Sequence, residues 1–279
     1  MRSLPYDVVD VFADEPFSGN QLAVVHGAAG LDDATLLAVT REFGFSETAF
    51  PEPVGAAGYR VRIFTPGGEI PFAGHPTLGT AWVLRQNGEL REDEVVQTCG
   101  AGEVGVRFLE SAGLVELTAT PRTLEGPLTE EVAGLARGVG LEADDVVGPA
   151  WRAGAGLDFS YLPVRPDAVA RARPGTDSDV DVYAVTPGDP VRVHSRVFVA
   201  DLAVPEDPAT GSAAAGLGIV LAASGVLPDG GDVEIAQGAE LGRPSRLFLT
   251  VEARGGVADR VRVAGRVFAT MRGTLDVPG

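Results

Sequence analysis

The amino-acid sequence predicts an α+β fold made of two pseudo-duplicated halves, and three observations predict it. Short β-branched runs broken by turn residues outnumber helical stretches, as 37 Gly and 20 Pro in 279 residues would suggest. Residues 121–127 begin and end in proline and have the composition of a domain linker. On both sides of them the chain follows one plan: a strand, a loop bearing Pro and Gly, then a helix of small and apolar residues that its composition buries. The expected domains are 1–122 and 123–279, with a final strand near 266–279 free to return to the first. Each domain should offer one central helix N-terminus to a shared cleft.

The elements follow in order. Tyr6 to Phe12 and Leu22 to Val25 alternate around the turn-forming Phe17-Ser18-Gly19-Asn20, which reads as a hairpin. Asp32, Asp33 and Thr35 precede Leu36, Leu37, Val39 and Phe43 at helical spacing, and Gly44 stands where that helix should stop. Glu47 then falls just beyond a helix C-terminus. Tyr59 to Phe64 alternates as a strand and Thr65-Pro66-Gly67-Gly68 breaks it; Pro76 suits the first position of a helix that Asn87-Gly88 ends. Strands are expected at 95–98, 103–108 and 114–118, and a helix at 130–138. A strand at 191–199 leads through Glu206-Asp207-Pro208-Ala209-Thr210-Gly211-Ser212 into a helix at 213–223, with strands at 261–267 and 275–277 closing the chain.

Composition removes whole classes of function. The net charge of −17 sets a surface field that repels nucleic-acid phosphates and anionic membranes, so neither is an expected partner. All 22 basic residues are Arg. Without a lysine ε-amine the chain cannot form a Schiff base with a carbonyl substrate or pyridoxal phosphate, nor build a phosphate-binding P-loop. The single Cys99 forms no internal disulfide, and the N-terminal residues lack a secretory pattern, so a soluble cytoplasmic protein is expected. Three scattered histidines offer no zinc-ligand spacing, and Gly154-Ala155-Gly156 lacks the third glycine of a dinucleotide loop. The expectation is therefore no metal and no cofactor.

Chemistry concentrates at the two loop-to-helix junctions. Helix N-termini gather unsatisfied N–H groups and partial positive charge, so Gly74-His75 and Gly211-Ser212 are natural seats for a carboxylate; one such loop alone reads first as an ordinary cap, and the pair of related loops shifts the reading toward a ligand site. Glu47 lies in Phe45-Ser46-Glu47-Thr48-Ala49-Phe50, where alternation points it toward an apolar core. Burial would raise its pKa toward neutrality, as a residue needs in order to take a proton from carbon and return it elsewhere; an exposed charge at a helix end is the plainer alternative. His75 is either a donor to substrate or a cap residue, and Asp207 is either an N-cap or an acid complementing Glu47. His26 and His194 read as structural.

Five segments in order resemble the PhzF-like phenazine-biosynthesis family, which is related in fold to diaminopimelate epimerase. They are Asp10-Val11-Phe12 through Gly19-Asn20; Arg41-Glu42-Phe43 through Ser46-Glu47-Thr48; Arg62-Ile63-Phe64-Thr65-Pro66 through Phe72-Ala73-Gly74-His75-Pro76; Glu206 through Ser212; and Gln237-Gly238 through Gly242-Arg243-Pro244. The resemblance spans nearly the whole chain. It implies that each domain is a curved, mostly antiparallel sheet wrapped around a central helix, with the active site in the cleft between the domains. It also implies a cofactor-independent isomerase, and a homodimer, acting on a small carboxylated metabolite in secondary-metabolite or antibiotic biosynthesis. Glu47 would be the acid–base, with His75 and Asp207 as its polar partners. Gly74, Gly211, Ser212, Asn20 and Ser46 would hold the substrate. Where the epimerases place two cysteines, this chain resembles the branch that uses a glutamate. Gln21, in place of a common proline, and the stretch 199–202 depart from the family pattern, which leaves the substrate open. Hydrolysis of a carbon–carbon bond and binding without turnover are the competing readings.

Overall fold

A computed structural model of the chain describes residues 1–175, 179–200 and 205–278. It divides into unit 1, Met1–Leu117 with Ala264–Gly279, and unit 2, Thr118–Val263. The departure noted at 201–202 lies outside the described residues. No helix among the described residues is long and apolar enough to cross a membrane.

Unit 1 contains strands β1 (Arg2–Val11), β2 (Asn20–Val25), β3 (Glu47–Pro53), β4 (Gly58–Thr65), β5 (Gly68–Ile70), β6 (Glu94–Cys99), β7 (Gly102–Leu109) and β8 (Leu114–Ala119). Its helices are α1 (Asp33–Phe43) and α2 (Gly74–Gln86). The final strand of the chain, Val267–Val277, lies antiparallel beside β1, and β1 pairs on its other edge with β2 in the expected hairpin. Within unit 1 the β2–β3 and β4–β6 pairings are parallel.

The local causes are readable. Asp32 caps α1 by accepting the Thr35 N–H at 2.8 Å, and Gly44 ends the helix in the left-handed region at φ 68°. Gly19, at φ 69°, has no room for a Cβ, which would collide with the Val11 carbonyl. That tight turn sets Asn20 directly opposite Val11. Helix α2 begins two residues earlier than expected, at Gly74. Pro76 fits there because the N–H groups of a first turn need no intrahelical acceptor.

Helix α2 packs on β1, β2 and β3, and every residue from Gly74 to Leu84 except Trp82 is buried. Helix α1 covers a second cluster with Leu4, Val25, Phe50, Phe64 and Val277. Full burial of each such side chain is worth about 1.5–3 kcal/mol, so the sheet is held between two apolar layers.

Unit 2 repeats the plan with β9 (Thr123–Leu128), α3 (Val132–Gly138), β10 (Ala150–Gly154), β11 (Asp158–Pro163), α4 (Pro166–Val169), β12 (Val180–Thr186), β13 (Val191–Phe198), β14 (Glu206–Asp207), α5 (Gly211–Ala223), β15 (Gly231–Gln237), β16 (Ser245–Arg254) and β17 (Val257–Gly265). The strand Val267–Val277 is thus β18. Helix α5 is buried from Gly211 through Ala222 and packs on β10, β11 and β16. On the opposite face of this sheet, Ala136, Leu162, Val164, Val169, Val180, Val182 and Phe198 form a cluster with α3 and α4.

Most of the segment expected as a linker, from Thr123 onward, is strand β9. Thr123 and Leu124 pair with Gly154 and Ala153 of β10, and Pro127 is tolerated close to the strand's end. Strands β10, β11 and β12 are mixed or continuous apolar runs without clean alternation, whereas β15 and β16 do alternate and were passed over. Gly154-Ala155-Gly156 opens the β10–β11 turn.

Candidate active site

Glu47 is the first residue of β3, in register with Leu22 of the parallel neighbour β2. That pairing turns its carboxyl inward, leaving the residue 8% exposed. Burial pushes its pKa up from 4.5 to about 7, and the adjacent Ser46 side chain pulls the other way. Among the described residues Oε2 accepts no hydrogen bond, and it lies 3.6 Å from His75 Nε2.

His75 is the second residue of α2 and 3% exposed. The helix starts from Ala73 in an extended conformation with no side-chain cap and no acid in its first turn, so its partial positive charge is not cancelled locally. His75 Nδ1 lies 3.2 Å from Asn20 Nδ2, and Ser46 Oγ donates to Asn20 Oδ1 at 3.4 Å. Unit 1 therefore brings together five of the expected residues: Asn20, Ser46, Glu47, Gly74 and His75.

In unit 2, Asp207 lies on β14 against Val197 of β13 and is buried. The N-cap position of the following helix is taken by Thr210, whose side chain makes no cap hydrogen bond. Instead the Thr210 hydroxyl donates to Asp207 Oδ2 at 2.6 Å. Gln237 ties the loop from behind, donating from Nε2 to the Asp207 carbonyl at 2.8 Å and accepting the Thr210 N–H at 3.2 Å. Gly238, at φ 76°, is needed where the chain passes the Pro208 and Arg243 carbonyls. Next to Asp207, Glu206 holds Arg196 through two bonds of 2.8 and 2.7 Å, while Arg196 Nη1 donates to the Ala172 carbonyl at 2.6 Å. Gly211 and Ser212 open α5 and are buried.

Arg196, Thr210 and Gln237 were not expected as site-shaping residues. Thr210 and Gln237 fall inside the quoted family segments, which was the available signal; Arg196 is one arginine in an alternating strand and gave none. A further buried acid, Asp181 on β12, was also missed. Burial pushes its pKa from 3.8 to about 7, and the Ser195 hydroxyl donates to it at 2.6 Å. His26 and His194 each meet a single carboxylate, Asp7 at 2.8 Å and Glu240 at 3.0 Å. Among the described residues no three His, Cys, Asp or Glu side chains are grouped to hold a metal.

A buried carboxyl titrating near neutrality beside an imidazole is an arrangement for moving protons. The relatives agree with it. The family model described as phenazine biosynthesis-like protein (PhzC-PhzF) matches residues 9–132 and 164–273. A trans-2,3-dihydro-3-hydroxyanthranilate isomerase of Pseudomonas aeruginosa is 34% identical, over 96% of this chain and 98% of its own. The solved structure of a predicted epimerase from Pseudomonas aeruginosa superimposes with a TM-score of 0.84 at 32% identity, covering 99% of this chain and all of that one. A PhzF-family protein of Bacillus anthracis, at 24% identity, shares the fold with a TM-score of 0.88 over 99% of this chain and all of its own. The chain belongs to the phenazine biosynthesis-like PhzC-PhzF family and is an isomerase.

Proposed function

We propose that this isomerase shifts a proton on a small carboxylated metabolite, with Glu47 as the acid–base and no cofactor. One observation carries the reading: the Glu47 carboxyl is buried, titrates near 7 and stands 3.6 Å from the His75 imidazole. At neutral pH such a group is poised to accept a proton from carbon as a carboxylate and to donate it as an acid. The net change moves one hydrogen from one substrate carbon to another, so atoms and electrons balance without an oxidant or a metal. The relatives named as trans-2,3-dihydro-3-hydroxyanthranilate isomerases support a ring carboxylate whose C–H is activated by adjacent unsaturation. Gln21 leaves room for a substrate that differs from theirs.

In unit 1, His75 donates toward the developing anion and the backbone N–H groups at Gly74 attract the substrate carboxylate, an electrostatic contribution of roughly 3–4 kcal/mol for a well-placed donor. In unit 2, Asp207, Gly211 and Ser212 offer the same kinds of polar group at the start of α5. Incubating the full chain with candidate cyclic amino carboxylates in heavy water and following mass tests the reading. Deuterium uptake into a product with the substrate's skeleton supports it. Two fragments, or tight binding with no exchange, would overturn it.

A further inference from the structure

Resting on that proton-transfer reading, the structure assigns Asn20 to a positioning role: its side-chain amide fixes His75 as the Nε2–H tautomer, so that the ring nitrogen nearest Glu47 carries a hydrogen and is not a competing proton acceptor. The argument is one of donors and acceptors. A primary amide nitrogen carries two hydrogens and no available lone pair. At 3.2 Å from Asn20 Nδ2, His75 Nδ1 is therefore the acceptor, and the ring hydrogen belongs on Nε2. Nε2 is the atom that lies 3.6 Å from Glu47 Oε2.

The orientation of the amide is supported from its other end. Asn20 Oδ1 accepts from the Ser46 hydroxyl at 3.4 Å, and the turn at Gly19 and the β1–β2 pairing fix the Asn20 backbone. The opposite tautomer would set two N–H donors against each other at Nδ1 and turn a lone pair toward the carboxylate at Nε2. Inside a buried group, each mismatch costs about 1–3 kcal/mol. Asn20, His75 and Glu47 are all buried, so water is poorly placed to relieve either one.

The consequence for the reaction is direct. With Nε2 already protonated and Nδ1 occupied by the Asn20 amide, His75 has no free site for the proton that Glu47 removes. Glu47 alone carries it, and His75 stays a fixed donor. The expected assignment of Asn20 to substrate binding gives way to one in which it acts through His75.

The wild-type chain decides the point without any variant. Long-range proton–nitrogen NMR on uniformly 15N-labelled full-length protein reads the tautomer of each of its 3 histidines, and His75→Gln assigns the His75 signals. The expected spectrum has a pyridine-like Nδ1 and a protonated Nε2 at neutral pH; a protonated Nδ1 overturns the proposal. Asn20→Asp, which replaces the donor with an acceptor, should move the ring hydrogen to Nδ1 and lower kcat by about tenfold or more, with KM changed by less than about threefold. A rise in KM at unchanged kcat would return Asn20 to substrate binding. Failure of the heavy-water experiment would remove the catalytic setting but leave the tautomer measurement standing, so the two readings fail separately.

Discussion

Helix α2 of unit 1 and helix α5 of unit 2 start alike. Each begins at a glycine, follows an extended residue that supplies no side-chain cap, and has no acid in its first turn. Their acids are treated differently. In unit 1 the Glu47 carboxyl keeps an oxygen without a hydrogen bond among the described residues and titrates near 7. In unit 2 the Asp207 carboxyl takes the Thr210 hydroxyl at 2.6 Å, and Gln237 clamps the same loop. One supersecondary plan thus serves two purposes: a loosely held acid can exchange a proton, whereas a bonded one keeps its place. Asp181 sharpens the contrast. It is as buried as Glu47 and shifted as far, yet it has a hydroxyl donor at 2.6 Å and no imidazole beside it in the bonds described. Burial alone does not make an acid–base catalyst.

The largest test of this contrast is turnover. Glu47→Gln should reduce kcat by about 10²–10⁴-fold while circular dichroism stays unchanged, whereas Asp181→Asn should leave kcat near wild type. In the wild type, kcat/KM should rise with pH through about 7 as Glu47 ionises, and steady-state assays across pH 5–9 read it.

Stability against pH comes next. Native Glu47 and Asp181 hold their protons to about pH 7, while the unfolded chain releases them near 4.5 and 3.8. The native state then binds more protons than the unfolded state across that window, so stability is greatest below it and falls as pH rises to about 7. The loss is at most on the order of 3 kcal/mol for Glu47 and 4 kcal/mol for Asp181. Urea unfolding at pH 5 and pH 8 should show this drop in the wild type and a smaller one in Glu47→Gln and in Asp181→Asn. An equal drop in all three chains would break the link between burial and titration.

The third test concerns how α5 is seated. A Cβ at Gly216 would collide with the hydroxyl of buried Tyr161, which donates to the Ala213 carbonyl at 2.8 Å. Gly216→Ala should cost about 1–3 kcal/mol in thermal or urea unfolding. Tyr161→Phe should cost about 1 kcal/mol by itself and relieve part of the alanine's cost in the double variant.

The last test is at Thr210. Thr210→Val keeps the shape and removes the hydroxyl that Asp207 accepts, so it should lower stability by about 1–3 kcal/mol. It should also raise KM several-fold with kcat little changed, as expected for a binding loop and not for the proton carrier. A large loss of kcat would blur the division between the two loops.

Much of the frame was legible in the sequence because its signals are local. The first hairpin, α1 with its Asp32 cap and Gly44 stop, α2 and α5 follow from side-chain period, turn residues and caps within a few positions of one another. The same holds for the exclusions: a chain without lysine forms no lysine Schiff base however it folds. The ordered family segments also contain Asn20, Ser46, Glu47, Gly74 and His75, which unit 1 brings together.

The remainder was decided by residues far apart in sequence. Proline at both ends of 121–127 suggested a linker, but pairing with β10 makes most of that segment a strand. Alternation allowed Glu47 to point inward; the parallel neighbour β2 and the start of α2 bury it and set its pKa. The bond between Asn20 and His75 joins side chains 55 positions apart, and Ser195 reaches Asp181 across two strands. The sequence alone determined which elements form and which chemistries are ruled out, because propensity, capping and side-chain type act locally. Only the tertiary structure decided which carboxyl is shifted and which imidazole nitrogen faces it, because desolvation and hydrogen-bond geometry depend on neighbours that the chain brings from elsewhere.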